Sequence, residues 1–269
     1  LACELVRNGR IGTLKKVHVF VPAGLRAGPF ATPQTPPSVL NWDLWLGPAP
    51  QVDYLKERCH STFRWWFDYA GGPVTDWGAH HNDIARWAIG LDGPTQVEAR
   101  ALQEPIPGGY TTPPQFEATL LWANGVEQIV RTTLDDSRFG AVLKADGQRN
   151  GVKFEGTDGW IWVNRADLDA SKEDIIFTEL PENAIRLEAS RDHMENFFSS
   201  VRSRKDPICP VETGHRSACV GHLIVIGLRT GLKLNFDPVK EEFVGENAKA
   251  GNALLARELR KPYGYEMVS

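Results

Sequence analysis

The chain has 269 residues, 42% hydrophobic and 24% charged, enough for one large domain with a sizeable core. A formal net charge of -4 argues against an electrostatic nucleic-acid binder. No apolar run approaches the roughly 20 residues of a membrane-crossing helix, so neither nucleic acid nor membrane is an expected partner.

Residues 1–7 read as a helix stopped by Asn8-Gly9, since glycine just past a helix end accepts the left-handed backbone that closes it. Residue 1 is Leu and the only methionines are Met194 and Met267, so the sequence is read as opening inside that helix, as a piece of a longer chain. The lack of a leader peptide then bears on no compartment, and cytoplasmic is only the default. Residues 14–21 form a β-branched, apolar strand. A proline-rich irregular stretch follows to about Pro50, with room for one helical turn near Trp42 and Trp45. An aromatic cluster, 63–69, precedes a Gly71-Gly72 turn and a helix over 76–89, with Ile84, Trp87, Ala88 and Leu91 as its expected apolar stripe.

From about 95 to 179 the period shortens. Strands are expected at 96–101, 116–122, 126–132, 141–145, 152–155 and 160–163, with Asn124-Gly125 as the strongest hairpin signal. The last third reads as helical: 188–204 with Met194, Phe197, Phe198 and Val201 on one face, then 212–230 after Pro210. Strands joined by tight turns and followed by helices predict an α+β fold, an open and predominantly antiparallel sheet with helices on one face.

The candidate chemistry sits at 71–90. Asp76 and His80 are four apart, which on a helix places both on one face, and a carboxylate beside an imidazole can fix its tautomer and raise its basicity. By spacing alone the plainer alternative is a helix-capping Asp76 and a surface His80. A metal on Asp76, His80, His81 and Asp83 is disfavoured, because the adjacent histidines point about 100° apart, and no metal is expected. Trp42, Trp45, Trp65, Trp66 and Phe67 suit either a sugar-stacking wall or a core. His18, His193 and His215 read as structural, and Cys3, Cys59, Cys209 and Cys219 as free thiols outside any zinc-like pattern. There is no G-x-G-x-x-G, P-loop, G-x-S-x-G or H-E-x-x-H.

Together Gly71, Gly72, Asp76, Gly78, His80 and Asp83 resemble the G-G-x-x-x-D-x-G-x-H-x-x-D signature of the glucose–fructose oxidoreductase, inositol dehydrogenase and rhizopine catabolism (Gfo/Idh/MocA) family. Residues 4–12 look like the connection out of that family's Rossmann domain, and 42–50 and 206–216 look like a bacterial branch of it. The resemblance implies that 1–12 end a dinucleotide-binding domain and that 13–269 are the substrate and oligomerisation domain. NAD or NADP and a catalytic lysine would belong to a half this sequence lacks. His80 would be the acid/base toward a hydroxyl of a carbohydrate or cyclitol, with Asp76 orienting it. Trp42, Trp45, Arg64, His81, Asn82 and Asp83 would be substrate-side candidates. A homo-oligomer through the open sheet face is expected. A relative that cleaves glycosides by transient oxidation, and a non-catalytic oligomerisation module, remain open as alternatives.

Overall fold

The computed structural model describes residues 1–30, 33–132 and 150–267. Helix α1 (Ala2–Arg7) closes on Asn8, and Gly9 takes a φ of +72°. Strand β1 (Leu14–Phe20) then enters a nine-stranded sheet near its middle. The hairpin of β3 (Gln115–Trp122) and β4 (Glu127–Arg131) turns at Asn124-Gly125, where Gly125 adopts a φ of +81°. Strand β2 (Pro94–Gln103) pairs with β3, and β5 (Gly151–Gly156), β6 (Trp160–Val163) and β7 (Leu168–Ala170) extend the other side. Among the described residues every pairing is antiparallel except β1 with β4. The sheet is open and predominantly antiparallel in an α+β arrangement, as the alternating pattern predicts. The expected strand at 141–145 lies outside the described residues.

One face of the sheet is apolar and packs under helices. Val17, Val19, Phe116, Ala118, Leu120, Trp122, Val130, Val152, Phe154 and Ile161 point into it, meeting Leu5 and Val6 of α1, Ala85 and Ala88 of α3 (Trp77–Ile89), and Val220, Leu223 and Ile224 of α6 (Val211–Thr230). Each large side chain buried here contributes about 1.5–3 kcal/mol. The other face carries a ladder of opposite charges: Lys16 with Glu127, Arg131 with Glu117, and Glu155 between His18 and Lys153. Hydrogen bonding from His18 is the leading cause that holds the Glu155 carboxyl down to about 2, with Lys153 acting the same way. Phe20 and Trp162 lie on this second face with ring centroids 5.9 Å apart.

Three expectations need correction. The last third is not wholly helical: β8 (Leu234–Asp237) and β9 (Glu242–Val244) form a hairpin that continues the sheet beyond β2. These strands are short and separated by a tight turn at Asp237, which gives too few residues for a visible alternation. The helix expected over 188–204 spans only His193–Ser203 (α5), capped by the Asp192 side chain on the Glu195 amide, and its Met194, Phe197, Phe198 and Val201 are exposed. In α3 the buried row is Gly78, His81, Asn82, Ala85, Ala88 and Ile89, while Trp87 is 39% exposed. Two polar side chains on the core face displaced the apolar stripe from where hydropathy puts it. Three short helices, α2 (Trp42–Leu46), α4 (Glu173–Phe177) and α7 (Ala248–Asn252), complete the described elements of this class.

Candidate active site

The Gly71-Gly72 turn is shaped by close approach. A Cβ on Gly72, whose φ is +65°, would fall 2.6 Å from the Thr112 hydroxyl, and one on Gly71 would fall 2.6 Å from Thr75 and from Val225 of α6. Gly221 lets α6 pass beside the Val74 carbonyl and Thr75. The Thr75 hydroxyl accepts from the Gly71 amide at 2.8 Å. Bulkier residues at 71 or 72 would push this turn off α6 and thereby move the start of α3.

Asp76 stands at the N-cap of α3, but its side chain makes no capping hydrogen bond. It accepts instead from the Arg64 guanidinium at 2.8 Å, with both side chains about a third exposed. The positive end of the helix favours a carboxylate at this position. Arg64 also lies over the Trp65 ring, 5.8 Å from its centroid. His80, one turn along, is exposed and meets Trp77 edge-on at 5.9 Å. Among the described residues no hydrogen bond joins Asp76 to His80, so the carboxylate's partner here is Arg64. Arg165, just beyond β6, lies over the Trp77 ring, 5.1 Å from its centroid. Sequence reasoning passed over Arg165, because it reaches α3 only through the fold.

The remaining candidates separate. His81 and Asn82 are 1% and 0% exposed and face the sheet rather than solvent. His81 Nε2 lies 2.9 Å from Asn150 Oδ1, and Gln128 of β4 donates to Asn82 at 2.9 Å while accepting from the Trp122 indole at 3.1 Å. Asp83 accepts from Ser217 of α6 at 2.6 Å, an inter-helix contact. His81 and Asn82, named above as substrate-side candidates, lie inward, because the helical turn that exposes His80 carries them to the core side of α3. Trp42 and Trp45, on α2 (Trp42–Leu46), stack at 4.8 Å and 15°, edged by Tyr54 and Tyr69. The Trp42 indole donates to the Val52 carbonyl, and Arg260 of the tail clamps the end of α2 through Asp43 and the Gly47 carbonyl. Among the described residues no hydrogen bond or ring contact joins this cluster to Asp76 or His80.

Burial is the main cause that pushes His81 down to about 4, helped by the charges of His80 and Arg165 and opposed by the Asn150 hydrogen bond. The unfolded chain, with an ordinary histidine near pKa ~6.5, takes up the proton first as pH falls. The His81 contribution is therefore whole above pH 6.5 and is lost as pH falls toward 4. Urea midpoints against pH should show His81→Gln removing part of the slope in that window. Parallel wild-type and variant curves would refute this account.

A dinucleotide needs a strand leading through a glycine-rich turn into a helix N-terminus. Among the described residues β1 runs into an irregular stretch, and the turn at Gly71-Gly72 follows a 3₁₀ segment rather than a strand. The residues present do not form that cradle, and none of them is assigned to it.

A family model described as "Oxidoreductase family, C-terminal alpha/beta domain" matches residues 27–265. No curated protein matches the chain by sequence. Among solved structures it is similar to the aldose-aldose oxidoreductase from Caulobacter crescentus complexed with glycerol (TM-score 0.55, 15% identity, 87% of this chain and 59% of that one). It is similar also to the WlbA dehydrogenase from Bordetella pertussis in complex with NADH and UDP-GlcNAcA (TM-score 0.53, 14% identity, 88% and 60%). A levoglucosan dehydrogenase in complex with NADH and L-sorbose gives a TM-score of 0.50 at 16% identity, covering 87% and 61%. At these identities the likeness is one of fold. The chain spans about three fifths of the length of these structures.

Proposed function

The chain belongs to the Gfo/Idh/MocA oxidoreductase family, matched by its C-terminal domain model, and on that premise we propose that it is the substrate side of an NAD(P)-dependent oxidoreductase acting on a hydroxyl of a carbohydrate or cyclitol. The observation that carries the reading is the ion-paired Asp76 beside an exposed His80 at the start of α3. His80 accepts the proton as a substrate hydroxyl is oxidised, a role that requires an imidazole within hydrogen-bond reach of that hydroxyl. Arg64 holds the Asp76 carboxylate, which offers its oxygens to the same or the neighbouring hydroxyl. Trp77, backed by Arg165, gives His80 an aromatic neighbour that limits where the imidazole can swing. A nicotinamide would supply the hydride acceptor and would be held by a domain outside this chain.

Support for a sugar-like substrate comes from the similar folds, whose crystals contain a UDP-sugar acid and L-sorbose beside NADH. A homo-oligomer through the second face of the sheet is part of the same proposal, because an antiparallel sheet with helices packed on one face leaves the other to be covered.

The test is to prepare the complete protein, with whatever domain precedes Leu1, and follow reduction of NAD⁺ and NADP⁺ over a panel of aldoses, uronic acids and cyclitols. Net formation of the reduced cofactor with at least one substrate is expected. Calorimetry that shows no binding of either dinucleotide would overturn the proposal. Sugar release without net reduction would favour transient-oxidation cleavage instead.

A further inference from the structure

Outside the region already described, three groups that ligate metals converge where α6 meets the β8–β9 turn. His215 and Cys219 are one helical turn apart on α6, and Cys219 Sγ lies 3.6 Å from His215 Nε2. The same imidazole nitrogen is 2.6 Å from Glu241 Oε1. One ligand atom from each of the three residues lies within 4.8 Å of the others. We propose that His215, Cys219 and Glu241 form a site for a zinc-class transition-metal ion.

The distances fit that chemistry. A tetrahedral ion with a sulfur at about 2.3 Å and a nitrogen at about 2.0–2.1 Å places those two ligands about 3.5 Å apart. The Cys219–His215 separation already has this value, while the hydrogen-bonded His215–Glu241 pair has to open by less than ~1 Å. The ligand types discriminate as well. A thiolate with an imidazole selects zinc, cobalt or nickel over magnesium or calcium, which prefer oxygen. Among the described residues the polar contacts of Cys219 are to His215 alone, so no other interaction has to be broken to recruit the thiol.

The third ligand is presented by a built turn. Glu241 has a left-handed φ of +57°, and its amide donates to the Asp237 carbonyl at 2.8 Å. The Asp237 carboxylate accepts from the Val239 and Lys240 amides, which fixes the turn below α6. Arg216 is the natural competitor, with Nη1 2.8 Å from Glu241 Oε1. It also holds Glu212 at 2.6 Å and the Pro238 carbonyl at 2.6 Å, so it keeps partners when Glu241 turns to a metal. The bound ion would tie the terminal hairpin of the sheet to α6. Sequence inspection does not find the set, because H-x-x-x-C is an incomplete pattern until the β8–β9 turn brings its glutamate.

The experiment is a Co²⁺ titration of the purified chain, read by absorbance and by equilibrium dialysis. One ion per chain and a near-ultraviolet thiolate-to-cobalt band are expected. Cys219→Ser should abolish the band and weaken binding by at least about tenfold, since even an outer partner of a ligand is worth roughly 10–100-fold. His215→Ala should weaken it similarly, and Cys209→Ser, at the exposed thiol of the chain's described cysteines, should change neither. Circular dichroism of each variant checks that it is folded. Absence of stoichiometric binding, or binding unchanged in Cys219→Ser, would overturn the proposal and leave the cluster as a hydrogen-bonded clamp.

Discussion

On the proposed mechanism, replacing His80 by Ala in the complete protein should lower kcat/KM by about 10²–10⁴-fold, the span that a positioned general acid/base contributes. The loss falls mainly on kcat, because a proton acceptor acts in the transition state and adds little to ground-state binding. His80 is exposed and, among the described residues, its ring contact is to Trp77 of the same helix, so the melting temperature should barely move. That contrast separates a chemical role from a packing one. Asp76→Asn should fall between wild type and His80→Ala, with Arg64 left without its ion-pair partner. Steady-state kinetics beside thermal melts make the comparison. An His80→Ala enzyme with unchanged kcat/KM would remove the residue from the mechanism.

Replacing Gln128 by Leu should destabilise the fold by about 2–6 kcal/mol, from two buried groups left without partners at about 1–3 kcal/mol each. Gln128 is fully buried, donates to Asn82 and accepts from the Trp122 indole. Its loss strands both, at the point where α3 rests on the sheet. Asn82→Leu alone should cost less than Gln128→Leu, because it strands only the Gln128 amide. The double variant should cost less than the sum of the two, since residues in one network are not additive. Gln96→Leu, a partly exposed glutamine hydrogen-bonded to Asn235, is the control and should shift stability by less than about 1 kcal/mol. Urea unfolding measures all four. Full additivity would show that the chain from Trp122 through Gln128 to Asn82 does not act as a unit.

Much of the architecture is written in local patterns. The alternation over β2 and β3, the Asn124-Gly125 turn, and Pro210 ahead of the apolar row of α6 each depend on a period or a turn conformation that neighbouring residues impose. The same holds for the Gly71-Gly72 turn and for the placement of Asp76 and His80 on successive turns of α3. The hairpin β8–β9 was invisible because three- and four-residue strands carry no measurable period.

The direction in which polar residues point was decided by packing. His81 and Asn82 look like extensions of the candidate site when read in line, yet the core side of α3 takes them inward to meet Asn150 and Gln128. Hydropathy cannot anticipate this, because a buried amide is tolerated only when a partner from a distant strand arrives to bond it. Asp76 found Arg64 rather than its own helix's amides, Arg165 arrived over Trp77 from the turn after β6, and Glu241 joined His215 and Cys219 from another element. By itself the sequence determined the helix, the turn and the residue types that can move a proton. Only the tertiary structure decided which of those residues face solvent and which charge each one meets, because both depend on contacts between segments far apart in the chain.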